Sequence, residues 1–139
     1  MIKTCGIYFQ ENAIYVISDA STPRGSVAIA PMERLERDVD AESLGLAVLR
    51  SLGAFQYLDE ILDPKEALSE LLIFVKEKSW GAFAKKSTHV FVTQDGNKIQ
   101  LIPTQRDKRD AFSHLINKAV TMDCDPVSIG KALIDLVDT

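Results

Sequence analysis

Asp38 to Leu49 reads DVDAESLGLAVL, and Asp123 to Ile134, which lies 85 positions further on, reads DCDPVSIGKALI. Aspartate, serine, glycine and alanine recur at matching places, and apolar residues match at others. Both stretches open with an aspartate that favours the start of a helix, and both carry a glycine in the second turn. The repeat predicts two similar halves, at about residues 2–53 and 87–138, each a β-hairpin followed by a helix.

Alternating apolar and polar residues predict the hairpin of each half. In the first half the alternating segments are 2–9 and 13–18. In the second half they are 88–93 and 98–102, and they flank Asp95-Gly96, a dipeptide typical of two-residue hairpin turns. We expect Pro103 to end the last of these strands, as proline lacks the N–H that a central strand donates.

Shorter elements complete the predicted order. A polar loop at 19–25 leads to a short third strand at 27–30, which Pro31 ends. Asp63-Pro64 begins a second helix, with aspartate as the cap and proline at the first position. Residues 111–117 are predicted to form one or two helical turns. The second helix is predicted to bury Leu68, Leu71, Leu72 and Val75 and to turn Lys65, Glu66, Glu70 and Glu77 to water.

This order of elements indicates an α+β fold. Sequential hairpins favour antiparallel pairing, so we expect an antiparallel sheet built from two β-hairpin-plus-helix pseudo-repeats, with the helices packed against one face of the sheet. A chain of 139 residues has the usual length of a single domain, here 1–139, and can bury a core without disulfides or metals.

The repeated glycines, Gly45 and Gly130, each cost a helix about 1 kcal/mol relative to alanine. A close contact explains this cost, and we expect each helix to rest its first turns directly on the sheet, where a side chain does not fit. The alternative is that an anionic ligand approaches the helix start. Asp40, Glu42 and Asp125 would repel such an anion, which favours the packing interpretation.

Composition and charge restrict the class of protein. With 46% apolar and 26% charged residues, the chain has the composition of a soluble globular protein. Its apolar runs fall short of the roughly 18 residues of a membrane span, and its first residues alternate like strands, unlike a signal peptide. Cys5 and Cys124 suit a reducing compartment, so we expect a cytoplasmic protein. A net charge of -4 argues against nucleic-acid binding and suits a basic protein partner.

Few residues have the spacing of a catalytic or metal site. Asp110, Ser113 and His114 are the residue types of a nucleophilic triad, but neighbours on a helix do not face each other, and Ser113 lacks a glycine-flanked elbow. The cysteines and histidines lack the close pairing of zinc ligands. The polar segment 21–26 is more typical of a wide turn than of a phosphate cradle. We expect His89 and His114 to be structural, and we expect no catalytic residue, metal or cofactor.

Several motifs follow one another in the second half. Residues 78–85 read KSWGAFAK, and after the Asp95-Gly96 turn come LIPTQR at 101–106, AFSHL at 111–115 and SIGKAL at 128–133. In this order and spacing they resemble a family of contact-dependent growth inhibition immunity proteins, whose members carry a similar SW-x-x-F-x-K, DG, I-x-x-x-P-T-x-R, F-x-H-L and IG-x-A pattern. The resemblance covers about 60 residues and, through the LGLAV helix of the first half, extends toward the whole chain.

The resemblance implies a small cytoplasmic protein without enzymatic activity. Such a protein binds, as a monomer and one to one, the C-terminal toxin domain that a neighbouring cell delivers, often a nuclease, and blocks its active site. It also implies that Trp80 and Phe83 pack the core between the halves, since a family that binds varied toxins keeps its packing and varies its contacts. The competing hypothesis is a small cytosolic enzyme or ligand-binding protein with a cleft between the halves, near Arg106, Asp110 and His114.

Acidic clusters are the remaining candidates for a binding surface. The first cluster, at 33–42, is interleaved with arginines, and the second, at 59–66, is less neutralised and follows an aromatic segment. The simplest interpretation of both is a solvated surface that caps helices. The sharper hypothesis is that the second cluster docks a basic toxin cleft, with an aromatic anchor and with carboxylates in place of phosphates. Its predicted toxin-binding residues are Tyr57, Asp59, Glu60, Asp63 and Glu66.

Overall fold

Strands and helices follow one another in nearly the predicted order. The structure, a computed structural model, describes residues 2–60 and 63–138, which form eight strands and four α-helices. The strands are β1 Ile2–Phe9, β2 Ala13–Thr22, β3 Gly25–Glu36, β4 Gln56–Tyr57, β5 Thr88–Asp95, β6 Lys98–Arg106, β7 Phe112–His114 and β8 Val120–Asp123. The helices are α1 Ala41–Gly53, α2 Pro64–Val75, α3 Trp80–Lys85 and α4 Pro126–Asp138, and a 3-10 turn spans Ile116–Lys118.

The strands build one large open sheet in the order β3-β2-β1-β5-β6, and both β7 and β8 pair with the outer side of β6. Neighbouring strands are antiparallel, apart from a short parallel pair between β4 and β2. The predicted α+β class, an antiparallel sheet with helices packed against it, is confirmed. Local hairpins account for the two halves of the order, and the β1–β5 pair joins them.

The pairing register follows the same 85-residue offset as the sequence. Strands β1 and β5 pair at the centre of the sheet, where Gly6 lies opposite its own counterpart Phe91. The hairpins β1–β2 and β5–β6 share one register, because each residue pair of the first, moved by 85 positions, is a pair of the second. The two halves of the sheet are therefore related by an approximate two-fold axis between the central strands.

Helices α1 and α4 begin with the same cap. The carboxylate of Asp40 accepts a hydrogen bond from the backbone N–H of Ser43 at 3.0 Å, and that of Asp125 accepts one from the backbone N–H of Ser128 at 2.9 Å. The serine hydroxyls donate to the same carboxylates, and these bonds lower the pKa of both aspartates. The aspartates that open the repeated stretches thus start the two helices in the same way.

The repeated glycines lie where α1 and α4 cross. A Cβ atom on Gly45 would come within 2.7 Å of the Cα of Pro126, and one on Gly130 within 2.8 Å of the Cα of Ala41, distances that real Cβ atoms essentially never show. The predicted packing role of the glycines is confirmed. The predicted neighbour, the sheet, is wrong, because each glycine rests on the backbone of the first residue of the other helix.

The helices cover both faces of the sheet, so the prediction of a single helical face is wrong. Ile14 and Val16 of β2 pack with α1 and α4, whereas Tyr15 and Ile17, which point to the opposite face, pack with α2 and α3. The reason is that the second helix and the short helix after it return over the first half of the sheet. The first core includes Leu44, Val48, Leu52, Ile129 and Leu133, and the second includes Leu71, Val75 and Phe83.

The buried stripe of α2 is narrower than predicted. Leu71 and Val75 are buried, and Leu72 is half-buried against the core, but Leu68 is 38% exposed. Glu77, predicted to face water, is half-buried and accepts a hydrogen bond from the Lys86 ammonium at 2.7 Å. The helix rests on a sheet that α1 and α4 already cover from behind, so its second row of apolar residues lacks a neighbour to pack against.

Both prolines that were predicted to end strands lie inside them. β2 and β3 extend well into the predicted loop at 19–25, and β3 continues through Pro31, after a cis Ala30–Pro31 peptide, to Glu36. Proline is tolerated there because β3 is an edge strand. Pro103 lies in β6 between the segments that pair with β8 and with β7, where the strand needs no outward N–H.

The predicted helical turns at 111–117 are also wrong. Phe112–His114 form β7, the 3-10 turn follows, and β8 returns along the first part of β6. These two short strands hydrogen-bond the outer edge of β6, as β3 does for β2 in the first half. The demand of that edge for hydrogen bonds outweighs the local helical preference of the segment.

Candidate functional site

The second acidic cluster lies around the start of α2. Asp59 and Glu60 are exposed in the segment after β4, and the next two residues, 61 and 62, are outside the described part of the chain. Asp63 caps α2, with its carboxylate 3.0 Å from the backbone N–H of Lys65, and Glu66 is exposed in the first turn. Glu70, one turn further on, is exposed as well. We call these five carboxylates, of Asp59, Glu60, Asp63, Glu66 and Glu70, the α2 acidic patch.

The α2 acidic patch lacks the ion pairs that neutralise the first cluster. In the first cluster Glu33 binds Arg50 at 2.8 Å and Glu36 binds Arg34 at 2.9 Å. Among the residues that the structure describes, none of the five carboxylates of the α2 acidic patch lies within 4.0 Å of a basic side chain. The first cluster is thus a solvated structural surface, and the α2 acidic patch carries a net negative field.

Three members of the patch line one groove. Asp63, Glu66 and Glu70 stand along one side of α2, and 28–30 of β3 form the opposite wall of a groove of about 230 Å³. The spacing of three and then four positions places these side chains on one helical face. Because β3 is the edge strand of the sheet, the groove lies at the rim of the molecule. Glu70 was missed as a site residue, although this helical spacing could have indicated it.

Tyr57 lies outside this groove. It belongs to β4, is 56% exposed, and donates a hydrogen bond from its hydroxyl to the backbone carbonyl of Ile2 at 2.9 Å. Its ring meets that of Phe55 edge-on, with centroids 5.0 Å apart. A large exposed ring held at both ends has the form of an aromatic anchor. The predicted binding residues are therefore a groove set, Asp63 and Glu66, and a separate segment that carries Tyr57, Asp59 and Glu60.

Trp80 and Phe83 join the two halves on the α2 face of the sheet. Phe83 is completely buried, and the Trp80 ring is half-buried against Tyr8 and Phe112. The indole N–H of Trp80 donates to the backbone carbonyl of Asp110 at 2.8 Å, which ties α3 to the loop between β6 and β7. The predicted packing role of both aromatics is confirmed.

The residues predicted for an enzymatic cleft form structural contacts. Arg106 binds the Asp110 carboxylate at 2.8 Å, and His114 stacks on Phe91 with ring centroids 4.5 Å apart. Ser113 is exposed on β7, where neighbouring side chains point to opposite faces of the sheet, so it does not face His114. In the segment at 21–26, the Thr22 hydroxyl donates to the Gly25 carbonyl at 2.8 Å and accepts from the Arg24 N–H, as in an ordinary turn.

His89 is a buried strand residue, as predicted. It is 8% exposed, lies between the rings of Tyr8 and Phe112, and shares a 3.2 Å hydrogen bond with the Thr104 hydroxyl. Burial, and to a smaller extent the nearby His114, lowers its pKa to about 3. Cys5 is buried in the core, which raises the pKa of its thiol.

Neither a metal cluster nor a membrane-spanning helix is found in residues 2–60 and 63–138. No group of three or more His, Cys, Asp and Glu side chains in these ranges is placed to hold a metal ion. No helix in them is long and apolar enough to cross a membrane.

Sequence reasoning missed a buried carboxylate on the α2 face of the sheet. Asp19 of β2 lies at a cavity of about 360 Å³ between the sheet and α2, where Tyr8 and Trp80 also contribute. The Thr4 hydroxyl donates to its carboxylate at 3.0 Å, and burial raises its pKa to about 6. An aspartate that continues the buried alternation of Tyr15 and Ile17 was the available indication, but the predicted loop at 19–25 concealed it.

Comparisons with known proteins give two structural likenesses. No family model and no curated protein matches the sequence. A protein of unknown function from Neisseria meningitidis superposes with a TM-score of 0.78 at 18% sequence identity, over 96% of this chain and 92% of the other. A chain of the CdiA-CT/CdiI toxin and immunity complex from Yersinia pseudotuberculosis superposes with a TM-score of 0.77 at 15% identity, over 96% of this chain and 94% of that one. At these identities the chain shares their fold over nearly its whole length.

Proposed function

We propose that this protein is an immunity protein, which binds and neutralises a cognate contact-dependent growth inhibition toxin domain with nuclease activity by covering its active site. The observation that carries the proposal is the fold shared with a chain of a toxin and immunity complex. The motif order in 78–133 and the unpaired carboxylates of the α2 acidic patch support it. As such a protein it acts in the cytoplasm, as a monomer and without a cofactor, and it does not catalyse a reaction.

The α2 acidic patch is the proposed centre of the toxin interface. A nuclease binds a polyanion and therefore presents a basic cleft, which a field of unpaired carboxylates attracts at long range. A standard interface buries about 800 Å² on each partner, roughly a tenth of the 7837 Å² surface of this protein. The groove alone is too small for that, so Tyr57, Asp59 and Glu60 on the neighbouring segment are proposed to extend the contact.

Titration calorimetry against the toxin domain encoded just upstream of the gene tests the proposal. We expect one-to-one binding in the nanomolar range or tighter, on the order of −12 kcal/mol, together with loss of toxin activity. Absence of binding to a toxin domain shown to be folded and active would refute the proposed function and leave the small cytosolic enzyme or ligand-binding protein as the remaining hypothesis.

A pair of charge reversals tests the location of the interface. Asp59→Lys combined with Glu60→Lys is expected to slow association with the toxin and to weaken it at least about ten-fold, with the loss shrinking at high salt. The matched control is Glu11→Lys with Asp135→Lys, which makes the same change of net charge at exposed sites away from α2. Equal effects of the two pairs would place the interface elsewhere and leave toxin binding itself intact.

A further inference from the structure

The cavity under α2 has walls of two kinds. Tyr8 and Asp19 of the sheet and Ala28 of β3 form its floor, and Ala67 and Leu71 of α2 form its roof. Its lining is mostly apolar, and its volume of about 360 Å³ lies within the range of small-ligand pockets, roughly 300–1,000 Å³. It is distinct from the acidic groove, which lies on the other side of Ala67 toward Glu66 and Glu70.

Asp19 is the charged group of this cavity, and it lacks a basic partner. Within the described ranges, the hydrogen bond that reaches its carboxylate comes from the Thr4 hydroxyl, and no lysine, arginine or histidine nitrogen lies within 4.0 Å. A carboxylate held among apolar side chains without a counter-charge is unfavourable, and a bound cation would relieve this cost. The raised pKa of Asp19, about 6, reflects the same burial and still leaves the group charged near neutral pH.

Two aromatic rings stand beside this carboxylate. Tyr8 and Trp80 both line the cavity and meet edge-on, with ring centroids 6.0 Å apart. The face of an aromatic ring attracts a cation, and tryptophan does so most strongly. A carboxylate, aromatic rings and aliphatic walls together favour one kind of ligand, a cationic nitrogen attached to an apolar group.

We propose that this cavity is a binding site for an organic cation, in which the Asp19 carboxylate binds the ammonium or guanidinium group and Trp80, Tyr8 and Leu71 surround its apolar part. The cation is either a free small amine or the lysine or arginine side chain of a bound protein, since both present the same chemistry. The site stands independently of the proposed toxin binding, because it rests on the cavity and its carboxylate alone.

Trp80 makes the test direct, because it is the only tryptophan of the chain and it lines the cavity. Its fluorescence is titrated near neutral pH with three probes of similar shape, which are phenethylamine, the neutral 2-phenylethanol and the anionic phenylacetate. We expect phenethylamine to bind at least about ten-fold more tightly than 2-phenylethanol, as a charge-assisted hydrogen bond would give, and phenylacetate more weakly still. Equal binding of amine and alcohol, or no binding of any probe at millimolar concentration, would overturn the proposal.

Two variants separate the carboxylate from the cavity. Asp19→Asn retains an acceptor for the Thr4 hydroxyl and is expected to bring amine and alcohol to within about two-fold of each other. Ala67→Leu keeps Asp19 but fills the cavity, and it is expected to abolish binding of both probes. Circular dichroism confirms that each variant is folded, and Asp59→Asn, an exposed carboxylate outside the cavity, serves as the matched control and retains the wild-type preference. A preference for the amine that survives in Asp19→Asn would overturn the assignment of the carboxylate.

Side-chain analogues distinguish the two sources of the cation. Nα-acetyl-lysine amide and Nα-acetyl-arginine amide stand for the side chain of a protein partner, and phenethylamine and n-hexylamine stand for a free amine. Tighter binding of the acetylated amino-acid amides identifies a protein side chain as the ligand, and tighter binding of the simple amines identifies a small molecule. Either order supports the site, whereas failure of all four to shift the Trp80 emission would overturn it. A toxin-binding defect without loss of amine binding would concern only the proposed function.

Discussion

Substitution of Gly45 by alanine tests the crossing of α1 and α4. The new Cβ would lie 2.7 Å from the Cα of Pro126 and closer still to its carbonyl carbon and oxygen, all of which are backbone atoms that cannot rotate away. Ordinary carbon contacts are about 3.5–4.0 Å, so the helices must separate by about 1 Å. Such overpacking costs about 3 kcal/mol, and the better helix propensity of alanine returns about 1 kcal/mol. We expect the free energy of unfolding to fall by about 2 kcal/mol.

Gly53→Ala is the matched control for this change. Gly53 belongs to the same helix and has nothing within 4 Å of the position of an added Cβ, so alanine there is expected to be neutral or to stabilise by up to about 1 kcal/mol. Urea unfolding followed by circular dichroism measures the difference between the two variants, about 2–3 kcal/mol. A Gly45→Ala variant as stable as Gly53→Ala would refute the steric argument.

The reciprocal contact adds a second test. Gly130→Ala is expected to cost about as much as Gly45→Ala, since its Cβ meets Ala41 in the same way. Once one alanine has forced the helices apart, the other finds part of the space it needs. The double variant is therefore expected to lose less stability than the sum of the two single losses. Strict additivity would show that each helix adjusts by itself.

Three further predictions concern charge, aromatic packing and capping. Asp19 is protonated with a pKa of about 6 when folded and 3.8 when unfolded, so its contribution to stability is present below pH 3.8 and is lost as the pH rises through about 6; Asp19→Asn should thus gain about 3 kcal/mol on wild type between pH 4 and pH 7.5 in urea unfolding, and a pH-independent difference would contradict this. Trp80→Phe is expected to cost about 2 kcal/mol by removing the indole bond to the Asp110 carbonyl, which thermal unfolding followed by circular dichroism measures. Asp40→Ala and Asp125→Ala are expected to lower the melting temperature by similar amounts, because their caps are equivalent; a large inequality would show that the helices are not.

Local patterns were sufficient to predict the elements that local interactions determine. The caps at Asp40 and Asp63 and the Asp95-Gly96 turn act within a few residues, and the helices and hairpins they predict begin within one or two residues of the expected places. The passage of β3 through Pro31 and of β6 through Pro103 depends instead on which strand lies alongside, and that information is absent from the local sequence.

The candidate sites were predicted to different degrees. The acidic character of the segment around Asp63 was visible, because net charge requires no tertiary information. Its division into a groove and a separate segment depends on α2 lying against β3, which the sequence alone does not show. The cavity at Asp19 was out of reach, since β1, β2, β3, α2 and α3 all contribute to it and no two of its central residues, Tyr8, Asp19 and Trp80, are close in sequence.

The crossing of α1 and α4 also determines when this molecule can finish folding as it is synthesised. The seat of Gly45 is Pro126 and the seat of Gly130 is Ala41, so each contact joins residues more than 80 positions apart. The first hairpin and α1 leave the ribosome early, with Leu44, Val48 and Leu52 still lacking the helix that will cover them. Closure of this layer waits until residues 126–138 have emerged, and a nascent chain stalled before that point presents an apolar surface to chaperones.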